Sequence, residues 1–189
     1  RRDKGEYGMK LCGCGCGKPM PVSKYSDKRV GMLVGIDPGT VESGFATVED
    51  YRILNAGKVA NKDIISMLYP PDGIDAIIIE EMEYHRGRKV GKETFKAAYV
   101  IGRIQQKCLD YGIPYYMYPK SVYARAICGT KKCDDAVVWR VLKLRFGGAK
   151  KGEPLYLLTG ETDKRSAFAL AVYHLDKVSQ SLRSDGKDG

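Results

Sequence analysis

The sequence contains no apolar run near the roughly 18 residues a membrane-crossing helix needs, which argues against a membrane protein. Its first residues carry no apolar signal-peptide core, so a cytoplasmic setting is expected and a disulfide framework for its six cysteines is not. It has no internal repeat, which argues against a solenoid or array. It has only two histidines: His85 falls in a basic loop and reads as a surface residue, and His174 reads as structural. It is also short of acid. Against 32 Lys and Arg stand 23 Asp and Glu, a net charge of +9. An excess of that size points to a polyanionic partner, and with no membrane signal nucleic acid is the better expectation.

What the chain does have is apolar material for a sizeable core, 43% of 189 residues, enough for one domain and a small appendage. Residues 1–31 are rich in Gly, Lys, Pro and Ser, show no period, and hold eight basic against three acidic residues. They read as a basic arm that adds sequence-independent phosphate binding. A folded domain is expected over 32–178 and a flexible tail over 179–189.

Within the domain, 32–38, 44–49 and 51–59 read as three strands spaced closely enough for an antiparallel meander. A short helix follows at 61–68, with Asn61 as its expected N-cap and Pro70-Pro71 as its stop. "IDAIIIE" (74–80) is a continuous apolar run, the mark of a buried central strand. A long helix is expected over 93–111, with Phe95, Ala98, Tyr99, Ile101, Gly102 and Ile104 at near-helical spacing and Gly112 as its C-terminal cap. Residues 113–119 read as a fifth strand, 121–127 and 134–146 as helices, and 162–178 as an amphipathic helix with Ala167, Leu170, Ala171, His174 and Leu175 inward. The order β-β-β-α-β-α-β-α-α-α implies an α/β fold: a mixed five-stranded sheet with helices on both faces.

Three carboxylates occupy special places in that order. Asp37 ends the first strand, Glu80 ends the fourth, and Asp163 opens the last helix. The ends of central strands and the head of a packing helix can converge on one edge of a sheet. Each acid has a plainer reading: a turn Asp before Pro38-Gly39, a solvated strand end beside Glu81 and Glu83, and an N-cap. Carboxylates gathered together repel one another unless cations hold them. Such a cluster suits Mg²⁺ or Mn²⁺, and two such ions about 4 Å apart catalyse phosphodiester hydrolysis.

"GIDPGTVESGFATVE", "DAIIIEEMEY" and "ETDKRSAFALAVYHLD" resemble, in order, three motifs of the RuvC-type Holliday-junction resolvases, in the ribonuclease-H-like superfamily. The resemblance spans about residues 32–177. It implies a metal-dependent endonuclease cutting branched DNA, commonly as a dimer, with Asp37, Glu80 and Asp163 as catalytic metal ligands for two Mg²⁺ or Mn²⁺ ions. The resolvases usually carry a fourth acid one helical turn after the third. Here that position is Ser166, and Glu161 is the reserve ligand. Two other readings stand beside this one. A catalytically weak junction-binding protein on the same fold is motivated by Ser166. "GIDPGT…SG" also resembles the first phosphate loop of actin-like and sugar-kinase ATPases, but that fold takes two such domains and this chain is too short.

The segment "YHRGRKVGKETFK" (84–96) follows Glu80 and places Arg86, Arg88, Lys89, Lys92 and Lys96 between Tyr84 and Phe95. Next to a metal site it would grip flanking phosphates, and an aromatic at either end would stack on an unpaired base. Lys131-Lys132 and Lys150-Lys151 are two further cationic loops. Cys12, Cys14 and Cys16 resemble the leading half of the zinc-binding hairpins found before some phage nucleases, which suggests a phage or bacterial source. A structural Zn²⁺ and an unliganded arm are both open there, because zinc usually takes four ligands in separated pairs. Cys128 and Cys133 read as free or buried thiols.

Overall fold

The computed structural model describes residues 31–68, 73–83 and 91–184, with side chains to 181. The expected basic arm with Cys12, Cys14 and Cys16, and the loop residues Tyr84, His85, Arg86, Arg88 and Lys89, lie outside the described residues.

Five strands form one sheet in the order β3-β2-β1-β4-β5. They are β1 (Met32–Asp37), β2 (Glu42–Glu49), β3 (Arg52–Ala60), β4 (Ile74–Glu81) and β5 (Tyr115–Pro119). The first three form the expected antiparallel meander, turning at Asp50 and Tyr51, both at positive φ. β4 and β5 then add in parallel on the other side of β1. The helices are α1 (Asn61–Met67), α2 (Lys92–Tyr111), α3 (Lys120–Cys128), α4 (Asp135–Phe146) and α5 (Thr162–Ser184). Among the described residues no helix is long and apolar enough to cross a membrane.

The period-2 alternation of the central strands sorts their side chains onto two faces. Val34, Ile36, Phe45, Ile77 and Ile79 pack under α1 and α2. Leu33, Ala46, Val48, Ala76 and Ile78 face the opposite layer of α3, α4 and α5. The run Ala167–Val172 of α5 is fully buried, so this helix is sandwiched between the sheet and its neighbouring helices.

Four local expectations are corrected. Asn61 does not cap α1 with its side chain: the cap position is Ala60, and Asn61 instead donates from Nδ2 to the Gly39 carbonyl (3.2 Å) and accepts from Ser43 Oγ (2.7 Å). It thus ties down the turn after Asp37. The apolar stripe of α2 is really two opposed stripes. Ala97, Val100, Ile101, Ile104 and Cys108 face the sheet, while Phe95, Ala98, Tyr99 and Gly102 face outward. Gly112 ends the helix in the left-handed conformation, as expected. Cys128 and Cys133 are not free thiols but a disulfide, with Cα atoms 6.3 Å apart, closing the turn that carries Lys131 and Lys132. Finally, α5 runs to Ser184, beyond the end at 178 that its apolar pattern suggested.

Candidate active site

Alternation along the strands decides where the acids point. Asp37 continues the row of Leu33 and Gly35, and Glu80 continues that of Ala76 and Ile78, so both emerge on the face covered by α3 and α5. The parallel register sets Ile36 against Ile79, which leaves Asp37 and Glu80 side by side at the carboxyl ends of adjacent strands.

Two glycines let the head of α5 come down onto these strands. A Cβ at Gly35 would run into the Ala167 carbonyl, and one at Gly44 would meet the Asp163 backbone at 2.5 Å. The register pairs Asp37 with Gly44 and Gly44 with Lys58, so these three form one row across the sheet. Asp163 sits above the gap that Gly44 leaves, with Oδ2 2.8 Å from Lys58 Nζ. Lys58 also lies 3.9 Å from Glu42.

α3 closes the other side. Glu83 accepts hydrogen bonds from the backbone N–H (3.0 Å) and the hydroxyl of Ser121, which anchors the helix start. Tyr123 then donates to Glu80 Oε2 at 2.6 Å. Lys120, ion-paired with Asp135 at 2.7 Å, adds positive charge near both Asp37 and Glu80. Ser166, one helical turn after Asp163, is buried, and its hydroxyl lies beside both Asp37 and Tyr123 and has one proton to offer either.

The electrostatics follow from this crowding. Burial, then the charges of Glu80 and Asp163, push the Asp37 carboxyl up to about 7, against the opposing pull of Lys120 and the Ser166 hydroxyl. Burial also raises Glu80, opposed by the Tyr123 hydrogen bond and by Lys120. Asp37 is thus the acid that feels both Glu80 and Asp163.

Among the described residues, no three of His, Cys, Asp and Glu already stand close enough to clasp an ion. Asp163 is engaged by Lys58, and Glu80 by Tyr123. The donor set nonetheless fits a hard divalent cation: three carboxylates converge, one is pushed toward protonation by its burial and then by the other two, and a lysine ammonium stands in as counter-charge. Glu161 precedes the helix, 3.7 Å from Lys164, and contributes to the field at Lys58.

Of the proposed DNA-binding residues that are described, Lys92, Lys131 and Lys132 are exposed, and Lys96 is exposed but ion-paired with Glu93 at 3.1 Å. Phe95 is 67% exposed. His174 is buried on α5 with Nδ1 3.0 Å from the Tyr118 hydroxyl, the structural place expected of it. Sequence reasoning missed Lys58, Lys120 and Tyr123. The signal was the register: Lys58 falls opposite Gly44, and α3 begins directly after β5, whose Tyr118 is paired with Glu80.

No family model matches the chain. Among curated proteins, the crossover junction endodeoxyribonuclease RuvC of Aliarcobacter butzleri is 27% identical over 162 residues, covering 77% of this chain and 99% of the relative. That of Chlamydia caviae is 26% identical over 165 residues, covering 76% and 91%. Among solved structures, Thermus thermophilus RuvC in complex with a Holliday junction substrate superposes with a TM-score of 0.62 at 18% identity, over 80% of this chain and 97% of that one. A second structure of Thermus thermophilus RuvC gives 0.60 at 18% identity, over 79% and 96%. The chain is therefore similar to RuvC-type resolvases along most of its length, and it has their ribonuclease-H-like fold.

Proposed function

We propose that the chain is a metal-dependent endonuclease that hydrolyses phosphodiesters in branched DNA such as Holliday junctions. One observation carries the reading: Asp37, Glu80 and Asp163 converge at one edge of a fold shared with RuvC. Asp37, Glu80 and Asp163 would hold two Mg²⁺ or Mn²⁺ ions, and Glu161 is the reserve ligand. Bound there, the ions would supply activation of a water nucleophile and charge stabilisation at the leaving oxygen.

The chain's own residues do the rest. Asp37 and Glu80 hold their oxygens on rigid strand ends, backed by a buried core. Lys120 tempers the mutual repulsion of the acids without leaving Asp135. Lys92, Lys131 and Lys132 offer cations for flanking phosphates, with Lys96, Tyr84, Arg86, Arg88 and Lys89 as the further DNA contacts. The outward stripe of α2, with Phe95 67% and Tyr99 68% exposed, fits a second copy of the chain and so a homodimer.

Cutting is tested on a panel of four-way, flap and linear duplex DNA. With Mn²⁺, preferential cutting of the branched forms is expected, and EDTA is expected to stop it. Equal cutting of linear duplex would refute the structure selectivity. Ser166 favours a second reading, a junction-binding protein with weak catalysis, because the site holds a hydroxyl where the motif resemblance implies an acid. Binding of four-way DNA with no cutting in either ion would select it.

A further inference from the structure

Tyr123 is 1% exposed, yet its ring carries a polar atom into the carboxylate cluster. Phenylalanine would fill the same volume. A buried hydroxyl costs free energy unless it is bonded, so the 2.6 Å bond to Glu80 Oε2 is what makes tyrosine tolerable here. A neutral phenol has one proton to give, and here it is aimed at a carboxylate oxygen that accepts it. The frame behind it is stiff: Glu83 anchors the start of α3, and Ala124 is buried beside Tyr123. The buried Ser166 hydroxyl lies next to Tyr123 on the side of the other strand-end acid, Asp37.

We propose that Tyr123 is a positioning residue for the nuclease site. By donating to Glu80 Oε2 it orients the carboxylate and leaves the other oxygen for a divalent ion, and the Ser166 hydroxyl beside it serves the other strand-end acid, Asp37. A phenol orients Glu80 and leaves the carboxylate's charge in place. This role rests on the metal-dependent nuclease reading above. Groups that orient a ligand from behind in this way are typically worth about 10–100-fold in metal affinity or activity.

The test is Tyr123→Phe in the full chain, read in two ways. Mn²⁺ binding is followed directly by electron paramagnetic resonance without DNA, and cutting of a four-way junction is measured as separate kcat and KM. Expected are Mn²⁺ binding weakened about tenfold or more and kcat lowered, with KM for DNA unchanged. If Tyr123→Phe does not fold, Ser166→Ala carries the same measurements and the same direction of change. A wild-type chain that binds Mn²⁺, with a folded Tyr123→Phe variant that binds and cuts equally well, overturns the positioning role alone. A wild-type chain that neither binds Mn²⁺ nor cuts overturns the metal-site reading and this role with it.

Discussion

Asp37 is held in the fold at a cost to stability. In the metal-free chain, burial and two neighbouring acids lift its carboxyl from 3.8 to about 7. An acid raised in the folded state favours folding fully only below its unfolded pKa, and that stability is lost as pH rises through the folded value. The loss falls between about pH 4 and 7 and amounts to roughly 2–4 kcal/mol above it. Asp37→Asn should therefore raise the urea midpoint of the metal-free protein at pH 8, while destroying cutting. A lower midpoint would show that Asp37 stabilises the fold.

His174 titrates with the opposite consequence. Burial, with Lys177 nearby, lowers it to about 4. A buried neutral histidine contributes stability that is present above pH 6.5 and lost as pH falls to about 4, on the order of 3 kcal/mol. Unfolding free energies measured from pH 7 to 4 should show that loss in the wild type, and the His174→Gln variant should lack its share of the slope. Of the candidate site's residues, the proposed ligands Asp37, Glu80 and Asp163 stood out in the sequence because each marks the end or start of an apolar element. Tyr123, Lys58 and Lys120 did not, because their place depends on which strands pair and in what register.

At the scale of elements, the strands were the most legible part. Their apolar runs are interrupted by turn residues, and short connections force antiparallel neighbours. α2 was readable in extent but not in orientation. It carries apolar residues on two opposite sides, and periodicity alone cannot say which side meets the sheet. The structure gives the β-sheet the side of Ile101 and Ile104 and leaves Phe95 and Tyr99 to solvent. If that outward stripe is the dimer face, Phe95→Glu/Tyr99→Glu should convert a dimer into a folded monomer in sedimentation equilibrium. A wild-type monomer at tens of micromolar, or a variant that remains dimeric, would contradict it.

For the whole molecule, topology and charge act together. The parallel pair β1 and β4 brings two acids to one edge, the meander adds Lys58 to the row beside them, and α5 supplies the third acid from above. The chain's net charge of +9 suits a phosphate backbone as partner. The most direct measurement is the single-turnover rate of cutting a four-way junction in Mg²⁺, for wild type and for Asp37→Asn, Glu80→Gln and Asp163→Asn, beside metal-free binding of the same DNA. The wild type should cut, and each variant should cut at least about a hundredfold more slowly while still binding the junction. A wild type that binds without cutting, or an Asp37→Asn variant that cuts at the wild-type rate, would contradict the assignment of this site.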